Sequence, residues 1–200
     1  MQYHMHVCVS SAKNLKRGTK LHENNFKSLL VPLIILFTVA ALDQITKIWA
    51  VNYLSQACSV KVLGDFFMLT LVYNEGGALG SNLGSSLAYL IVSILIFALV
   101  LFYIYSHRDS KSLSFALSFI AGGALGNIID RLRIGKVIDW IDFDFIDLNF
   151  FSYQLNRWWT FNIADAAISC AIVFILVGLF FSETKLGQLD NNKQLADTKE

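Results

Sequence analysis

The chain has 200 residues, of which 55% are hydrophobic and 16% are charged, and its formal net charge is +1. A charged share well below the usual value of about 25% is typical of a membrane protein, and a net charge near zero gives no electrostatic reason to expect nucleic acid as a partner. The apolar residues also gather into long blocks with short polar connections, which excludes an ordinary soluble domain.

The first apolar block covers Leu29–Val51. Its uninterrupted part, Leu29–Leu42, is only about 14 residues long, a length that also suits the core of a signal peptide. We interpret the block as a retained membrane helix because apolar residues resume at Ile48–Val51. The two charged residues in between, Asp43 and Lys47, are four apart and can pair on one helical face.

A segment rich in β-forming residues follows at 60–74, and its Gly64-Asp65 step predicts a turn. The segment therefore predicts a short strand or hairpin against the membrane surface. The sequence Gly-Gly-Ala-Leu-Gly occurs next at Gly76–Gly80, in a predicted loop, and again at Gly122–Gly126, inside the third apolar block. The second copy forms a small-xxx-small face that allows close approach of helix backbones.

Three further apolar blocks lie at about residues 87–105, 113–131 and 162–181. Each is near the roughly 20 residues that span a bilayer. With the first block, helix 29–51, they predict an all-α integral membrane protein with four transmembrane helices in one domain, residues 29–182. The polar ends, residues 1–28 and 183–200, predict mobile tails.

The distribution of Lys and Arg predicts the orientation of the helices. If both termini are cytoplasmic, ten of the 16 basic residues flank the spans on the cytoplasmic side. That bias agrees with the positive-inside rule. We therefore expect both termini in the cytoplasm.

The segment at 137–161 is aromatic and acidic, unlike an ordinary connection. Its rings suit the membrane interface, so it predicts a segment that rests at the membrane surface and either anchors the protein or, over Trp140–Trp159, moves as a lid. Asp142, Asp144 and Asp147 are expected to be solvated. Asp139 differs because it lies between apolar pairs that would draw it toward the membrane surface.

Polar residues cluster at one end of the apolar blocks. The cluster consists of Asp43, Asn127, Asp130, Arg131, Asn162 and Asp165. Because successive membrane helices alternate in direction, all these positions lie at the same membrane face, which is the outer face in the predicted topology. Such residues are costly in lipid and usually face a bundle interior or water.

Helical spacing divides most of this cluster into two stripes. Gly123, Asn127 and Arg131 form one stripe, and Asn162 and Asp165 begin another. Two such stripes can face each other. The structural alternative is that Asn127 and Arg131 cap a helix and snorkel, and that the helix dipole stabilises Asp165 as an ordinary carboxylate.

Cysteine and histidine indicate neither disulfides nor metal binding. The three cysteines are predicted to lie in the cytoplasm, outside the cell and in a membrane helix, so no disulfide framework is indicated. The four histidines lie outside the apolar blocks, and none has a helical i, i+4 partner. We expect no metal site and no cofactor.

Five ordered motifs carry a resemblance to a known family. They are Asp43-Gln44 with Lys47, Tyr73-Asn74-Glu75-Gly76-Gly77-Ala78, the run from Gly123 to Arg131, Val137-Ile138-Asp139-Trp140 and Phe161-Asn162-Ile163-Ala164-Asp165. In this order and on these helix ends, they resemble the motifs of lipoprotein signal peptidases (signal peptidase II) over about residues 29–182.

The resemblance implies a four-helix membrane protein whose site lies near the outer surface under a small β-cradle and an outer helix. It implies that Asp139 and Asp165 are the catalytic pair. The residues matching the pocket are Asn74, Asn127, Arg131, Asn162 and Gly123. Asp43, Lys47 and Asp130 match supporting positions, with Asp130 holding Arg131 or backbone groups.

The implied activity is that of a bacterial inner-membrane aspartic endopeptidase. It would cleave prolipoproteins just before a cysteine that carries diacylglycerol, acting as a monomer in contact with membrane lipid and without a cofactor. The alternative from another class is a small membrane transporter or channel subunit, which also keeps polar residues between helices. A transporter needs a polar path through the membrane, but the inner halves of the second and fourth blocks carry no ionisable residue.

Overall fold

The computed structural model describes the backbone of residues 2–57, 59–76, 85–144, 148–150, 153–155 and 160–197, and the side chains of residues 28–57, 59–76, 85–144 and 160–181. In chain order, the described elements are α1 (Gln2–Leu54), β1 (Ser59–Leu63), β2 (Phe67–Asn74), α2 (Ser86–Ser106), α3 (Lys111–Ile134), β3 (Val137–Phe143), β4 (Leu148–Phe150), β5 (Tyr153–Leu155) and α4 (Ile163–Asp197).

Each of the four described helices contains a segment long and apolar enough to cross a membrane. These spans are Ser28–Leu54, Ser86–Ser106, Lys111–Ile134 and Ile163–Phe181. They confirm the predicted four-helix membrane fold. The third span has the lowest mean hydropathy, 1.6, and is also the most buried of the four, which marks α3 as the central helix.

Glycines let α3 lie close to its neighbours. A Cβ added at Gly122 would lie 2.7 Å from the Leu36 carbonyl oxygen of α1, and one added at Gly123 would lie 2.5 Å from the Ala164 carbonyl oxygen of α4. Both separations are shorter than real Cβ contacts. The predicted close approach of helix backbones at the second Gly-Gly-Ala-Leu-Gly copy is therefore confirmed.

The helices extend beyond the apolar blocks. α1 begins at Gln2 and α4 ends at Asp197, so the described backbone of both polar ends is helical. Apolar periodicity, the signal used for the sequence, marks packing rather than helicity, and Lys, Glu and Gln form helices readily without it. The mobility expected of the two tails stays a prediction.

The predicted hairpin is present as β1 and β2, which pair antiparallel. Its turn contains Gly64 in the left-handed region, at φ 57°, where a residue without a Cβ is favoured. Thr70 of β2 stands opposite Ser59 of β1.

A third strand, β3, completes the sheet in the order β1-β2-β3, and the sequence did not predict it. α3 ends at Gly135, which adopts φ 72° and donates its N–H to the Arg131 carbonyl at 3.0 Å. This left-handed residue ends the helix and leads the chain directly into β3.

The pairing of β2 with β3 contains a one-residue bulge. Leu69 pairs with Ile141, but the next recorded partners are Val72 and Asp139. Two residues of β2, Thr70 and Leu71, therefore stand opposite the single residue Trp140. A bulge of this kind redirects the side chains that follow it.

The described part of the aromatic segment consists of strands rather than an outer helix. β3 covers its beginning, β4 pairs with β5, and Phe161 forms an isolated bridge with Ile141. Aromatic and β-branched residues favour such extended backbone. Trp140–Phe143, the start of the predicted lid, belongs to the sheet, and residues 145–147, 151–152 and 156–159 lie outside the described residues.

Candidate active site

Asp139 is buried at the point where β3 meets the helix bundle, with 2% of its surface exposed. Asn74 of β2 donates its side-chain amide to Asp139 Oδ2 at 3.1 Å, and Asn162 donates to Asp139 Oδ1 at 2.7 Å. Both carboxylate oxygens are therefore held by neutral amide donors.

Asp165 is held by the first turn of α4 through a reciprocal cap. The Asp165 N–H donates to Asn162 Oδ1 at 3.0 Å, and the Asn162 N–H donates to Asp165 Oδ2 at 3.3 Å. This is the capping-box arrangement, with Asn and Asp three residues apart. The local sequence thus both starts α4 and orients the Asp165 carboxylate.

Asn162 links the two aspartates and is fully buried. Its side chain binds Asp139 while its backbone N–H binds Asp165. Asn127 of α3 completes the link, because it donates to Asp165 Oδ1 at 2.9 Å and accepts from Asn162 Nδ2 at 3.1 Å. The predicted pair is therefore brought into one hydrogen-bonded cluster whose members come from β2, β3, α3 and the start of α4.

Lys47 lies behind this cluster with 1% of its side chain exposed. Its ammonium contacts Asp43 Oδ2 at 2.8 Å, Asp130 Oδ2 at 2.7 Å and Asn127 Oδ1 at 2.8 Å. A lysine has three N–H donors, and these three oxygens match them. The predicted pairing of Asp43 with Lys47 is confirmed, and the contact with Asn127 joins this ion network to the aspartate cluster.

Two buried carboxylates of the ion network also hold backbone groups. Asp43 Oδ1 accepts from the Ala164 N–H at 3.0 Å, which ties α1 to the first turn of α4. Asp130 Oδ2 accepts from the Ile138 N–H at 3.1 Å, which ties the end of α3 to β3. Asp130 thus holds backbone, as expected.

Arg131 is half-buried and reaches the chain just beyond β2. Its Nη2 donates to the Gly76 carbonyl at 3.1 Å, and Gly76 N in turn donates to Asn74 Oδ1 at 2.9 Å. The guanidinium also interacts electrostatically with Asp165 and Asp139. Arg131 therefore belongs to the same cluster and does not merely snorkel toward water.

The surroundings of Asp139 favour its protonated form. Burial, followed by the negative charge of Asp165, raises the pKa of Asp139 from 3.8 to about 7, against the opposing effect of its hydrogen bonds from Asn74 and Asn162. The folded protein thus retains a proton that the unfolded chain releases. This group therefore lowers the free energy of unfolding as pH rises from about 4 to about 7.

For three residues, the structure corrects or extends the role predicted from the sequence. Asp142 was expected to be solvated, and that is wrong, because only 4% of it is exposed and Thr70 Oγ1 donates to its Oδ2 at 2.6 Å. Gly123 lies at the contact between α3 and α4, so helix packing accounts for it, and its role in the pocket stays a prediction. Gln44 was given no role, yet it donates to Asp130 Oδ1 at 3.0 Å and to the Gly126 carbonyl at 3.1 Å.

Within the described residues, no group of three or more His, Cys, Asp or Glu side chains could hold a metal ion. The fold and the site together define a multi-pass membrane protein with a buried pair of amide-held aspartates where its sheet meets its helix bundle.

Comparison with known proteins identifies the family. The family described as signal peptidase (SPase) II matches residues 35–181. The lipoprotein signal peptidase of Pelodictyon phaeoclathratiforme is 35% identical over 78% of this chain and 95% of the relative, and that of Halothermothrix orenii is 30% identical over 75% and 95%. A bacterial membrane enzyme solved by the in meso method at 2.3 Å resolution superposes with a TM-score of 0.65 at 27% identity, over 78% of this chain and 90% of that one.

The chain therefore belongs to the signal peptidase II family, and it is a bacterial multi-pass membrane protease. The transporter or channel alternative has no support in these comparisons.

Proposed function

We propose that this protein is an aspartic endopeptidase that removes the signal peptide from prolipoproteins, with Asp139 and Asp165 as its catalytic pair. The observation that carries the proposal is the position of Asn162, which donates one hydrogen bond to each carboxylate. Two aspartates held together in a buried site meet the main requirement of this chemistry.

Peptide hydrolysis by two carboxylates needs one ionised and one neutral group. The ionised one takes a proton from the attacking water, and the neutral one donates a hydrogen bond to the scissile carbonyl and then a proton to the leaving amine. The pKa of Asp139, about 7, supports this division because Asp139 can hold a proton near neutral pH beside the charge of Asp165. The pair titrates as a unit, so the proton belongs to both residues.

Hydrogen-bond donors around the pair support a role in binding substrate backbone. Asn74, Asn127 and Asn162 present amides, and Arg131 already holds one backbone carbonyl, that of Gly76. A peptide carbonyl from a substrate would present the same chemistry to these donors. We assign these four residues to the substrate pocket.

The proposed substrate is a prolipoprotein whose cysteine carries diacylglycerol, cleaved just before that cysteine. The relatives named above are lipoprotein signal peptidases, and the outward faces of α2 and α4 are apolar and exposed, as lipid contact requires. A substrate held in the membrane by acyl chains would reach the helix ends sideways. The aspartate cluster would then lie at the extracytoplasmic side of the inner membrane with both termini cytoplasmic, in line with the excess of Lys and Arg near the termini.

We propose that a monomer is sufficient for cleavage, because Asp139, Asp165 and the amides that hold them already form one connected hydrogen-bonded cluster. No cofactor is needed, because the two carboxylates supply both the base and the acid.

A cleavage assay with matched substrates tests the proposal. The purified protein is incubated with a diacylglyceryl-modified prolipoprotein and, separately, with the same precursor lacking the lipid. We expect a shorter lipidated product that begins at the cysteine, together with the released signal peptide, from the lipidated precursor only. Equal rates on the two precursors would contradict the substrate assignment, and cleavage by Asp139→Asn would contradict the aspartic mechanism.

A further inference from the structure

A buried carboxylate that the proposed mechanism does not use lies three residues beyond Asp139. Asp142 is 4% exposed, and its Oδ2 accepts from Thr70 Oγ1 at 2.6 Å. Thr70 Oγ1 lies 3.0 Å from Ser59 Oγ. Since Thr70 gives its only proton to Asp142, Ser59 is the donor in the second bond. The three side chains form a hydrogen-bonded ladder across β1, β2 and β3.

This ladder lies at the bulge in β2. Thr70 is the first of the two residues that stand opposite Trp140, so its hydroxyl bonds to the neighbouring strand where regular strand pairing is interrupted. A bulge leaves backbone groups without ladder partners, and it persists where other contacts fix it. A short hydrogen bond from a hydroxyl to a buried carboxylate is among the stronger contacts available.

The bulge decides which side chain of β2 faces Asp139. With the extra residue present, Asn74 stands opposite Val137, and Val137 and Asp139 share one face of β3. Without the extra residue, the register set by Leu69 and Ile141 would continue along both strands, and Asn74 would stand opposite Lys136. A shift of one residue turns a side chain to the other face of a sheet. The 3.1 Å hydrogen bond from Asn74 to Asp139 therefore depends on the bulge.

We propose that Thr70 and Asp142 are positioning residues that hold the β2 bulge and thereby keep the Asn74 amide on Asp139. This inference rests on the proposed role of Asp139. In this role neither residue has to touch the substrate or the reacting atoms. Their effect on cleavage passes through the register of β2 and β3 and through Asn74.

Substitutions at Thr70 test the inference with matched controls. Thr70→Val keeps the shape but removes the hydroxyl, and we expect cleavage to fall about tenfold, the loss that one charge-assisted hydrogen bond produces. Thr70→Ser keeps the hydroxyl and should restore cleavage to near the unsubstituted rate. Asp65→Asn, at an exposed ion pair in the same hairpin, should leave cleavage unchanged.

A double-substitution cycle separates positioning from general structural support. If Thr70 acts through Asn74, Thr70→Val combined with Asn74→Ala should cleave no more slowly than Asn74→Ala alone. Additive losses, or a Thr70→Ser variant as slow as Thr70→Val, would overturn the inference. If Thr70→Val does not fold, as judged by thermal unfolding, Thr70→Ala replaces it, and an unchanged rate in folded Thr70→Ala would also overturn the inference.

Asp139→Asn and Asp165→Asn are assayed in parallel. Residual cleavage by both would remove the proposed catalytic pair. Inactive Asp→Asn variants together with a fully active Thr70→Val would overturn only the positioning role.

Discussion

Two groups of buried carboxylates lie side by side in this protein, and they are held by different partners. In the ion network, Asp43 and Asp130 are paired with the ammonium of Lys47. In the aspartate cluster, Asp139 and Asp165 accept from the amides of Asn74, Asn127 and Asn162. The ammonium of Lys47 places a positive charge against its two carboxylates, whereas neutral amides orient a carboxylate without adding a charge. The same residue type thus serves structure in one place and, on our proposal, chemistry in the other.

The largest expected effect comes from removing either carboxylate of the cluster. Asp139→Asn and Asp165→Asn keep the side-chain shape but remove the ionisable group, so each should reduce cleavage at least about 10³-fold. The double variant should be no worse than either single one, because residues that act as a unit show non-additive losses. Cleavage of lipidated precursor by purified variants measures this.

Asp144→Asn is the control for that experiment, since Asp144 is partly exposed and lies outside the cluster. Loss of cleavage in Asp144→Asn with retention in Asp139→Asn would show that the wrong aspartate was chosen.

The next effect is on folding and concerns the ion network. Lys47→Met leaves Asp43 and Asp130 buried without their cation, which should lower the free energy of unfolding by about 3–5 kcal/mol. Denaturant or thermal unfolding in detergent measures the change. Lys61→Met, at an ion pair whose lysine is exposed, is the control and should unfold like the unsubstituted protein. Unchanged unfolding of Lys47→Met would contradict the conclusion that the ion network stabilises the fold.

A smaller loss is expected at Arg131, which belongs to the aspartate cluster but carries a charge. Arg131→Lys keeps the charge but loses the planar donor geometry that reaches the Gly76 carbonyl. Cleavage should fall about tenfold, as for one charge-assisted hydrogen bond. Arg133→Lys, at an exposed arginine two residues further along α3, should cleave normally. An unchanged rate in Arg131→Lys would contradict the assignment of Arg131 to the substrate pocket.

The smallest effect is a shift of the pH profile. Cleavage should decline as pH rises through about 7, because Asp139 then loses the proton that the pair needs. The Asn74 hydrogen bond favours ionised Asp139, so Asn74→Ala should raise the pKa of Asp139 and move the decline to higher pH. A hydrogen bond of about 1 kcal/mol corresponds to a shift of at most about one pH unit.

Rates measured from pH 5 to 9 would test this, with Asp165, Asn162, Lys47 and Arg131 left in place as the other groups around Asp139. A decline that moves to lower pH would contradict the assigned role of Asn74.

The helices could be predicted from the sequence far better than the sheet. Four apolar blocks determine four spans because membrane burial requires a long run of local residues. Strand β3 depends on partners in β2 about 70 positions earlier, and no local pattern reports that pairing. The burial of Asp142 was missed for the same reason, because its partner Thr70 lies 72 residues away.

Much of the site was visible because polar residues at helix ends are unusual in an apolar sequence. Asp43 and Lys47 could be paired from their spacing alone, and the Asn162 and Asp165 stripe contains its own capping box. The choice of Asp139 among several neighbouring aspartates rested on the family resemblance. Gln44 belongs to the first motif of the family resemblance, but its own position predicted no contact, since a glutamine beside a charged residue is common at any helix surface.

The spacing of Asp43 and Lys47 also bears on how the protein enters the membrane. If the chain is inserted from its N-terminus, α1 enters the bilayer before α3 has been synthesised. Asp130 belongs to α3 and is therefore not yet present. During that interval the charge of Lys47 has a partner four residues away on its own helix. In addition, α1 contacts α3 extensively but α2 only slightly. The ion pair of Asp43 with Lys47 therefore reduces the cost of placing α1 in lipid before α3 is inserted. Asp130 of α3 then adds the second carboxylate.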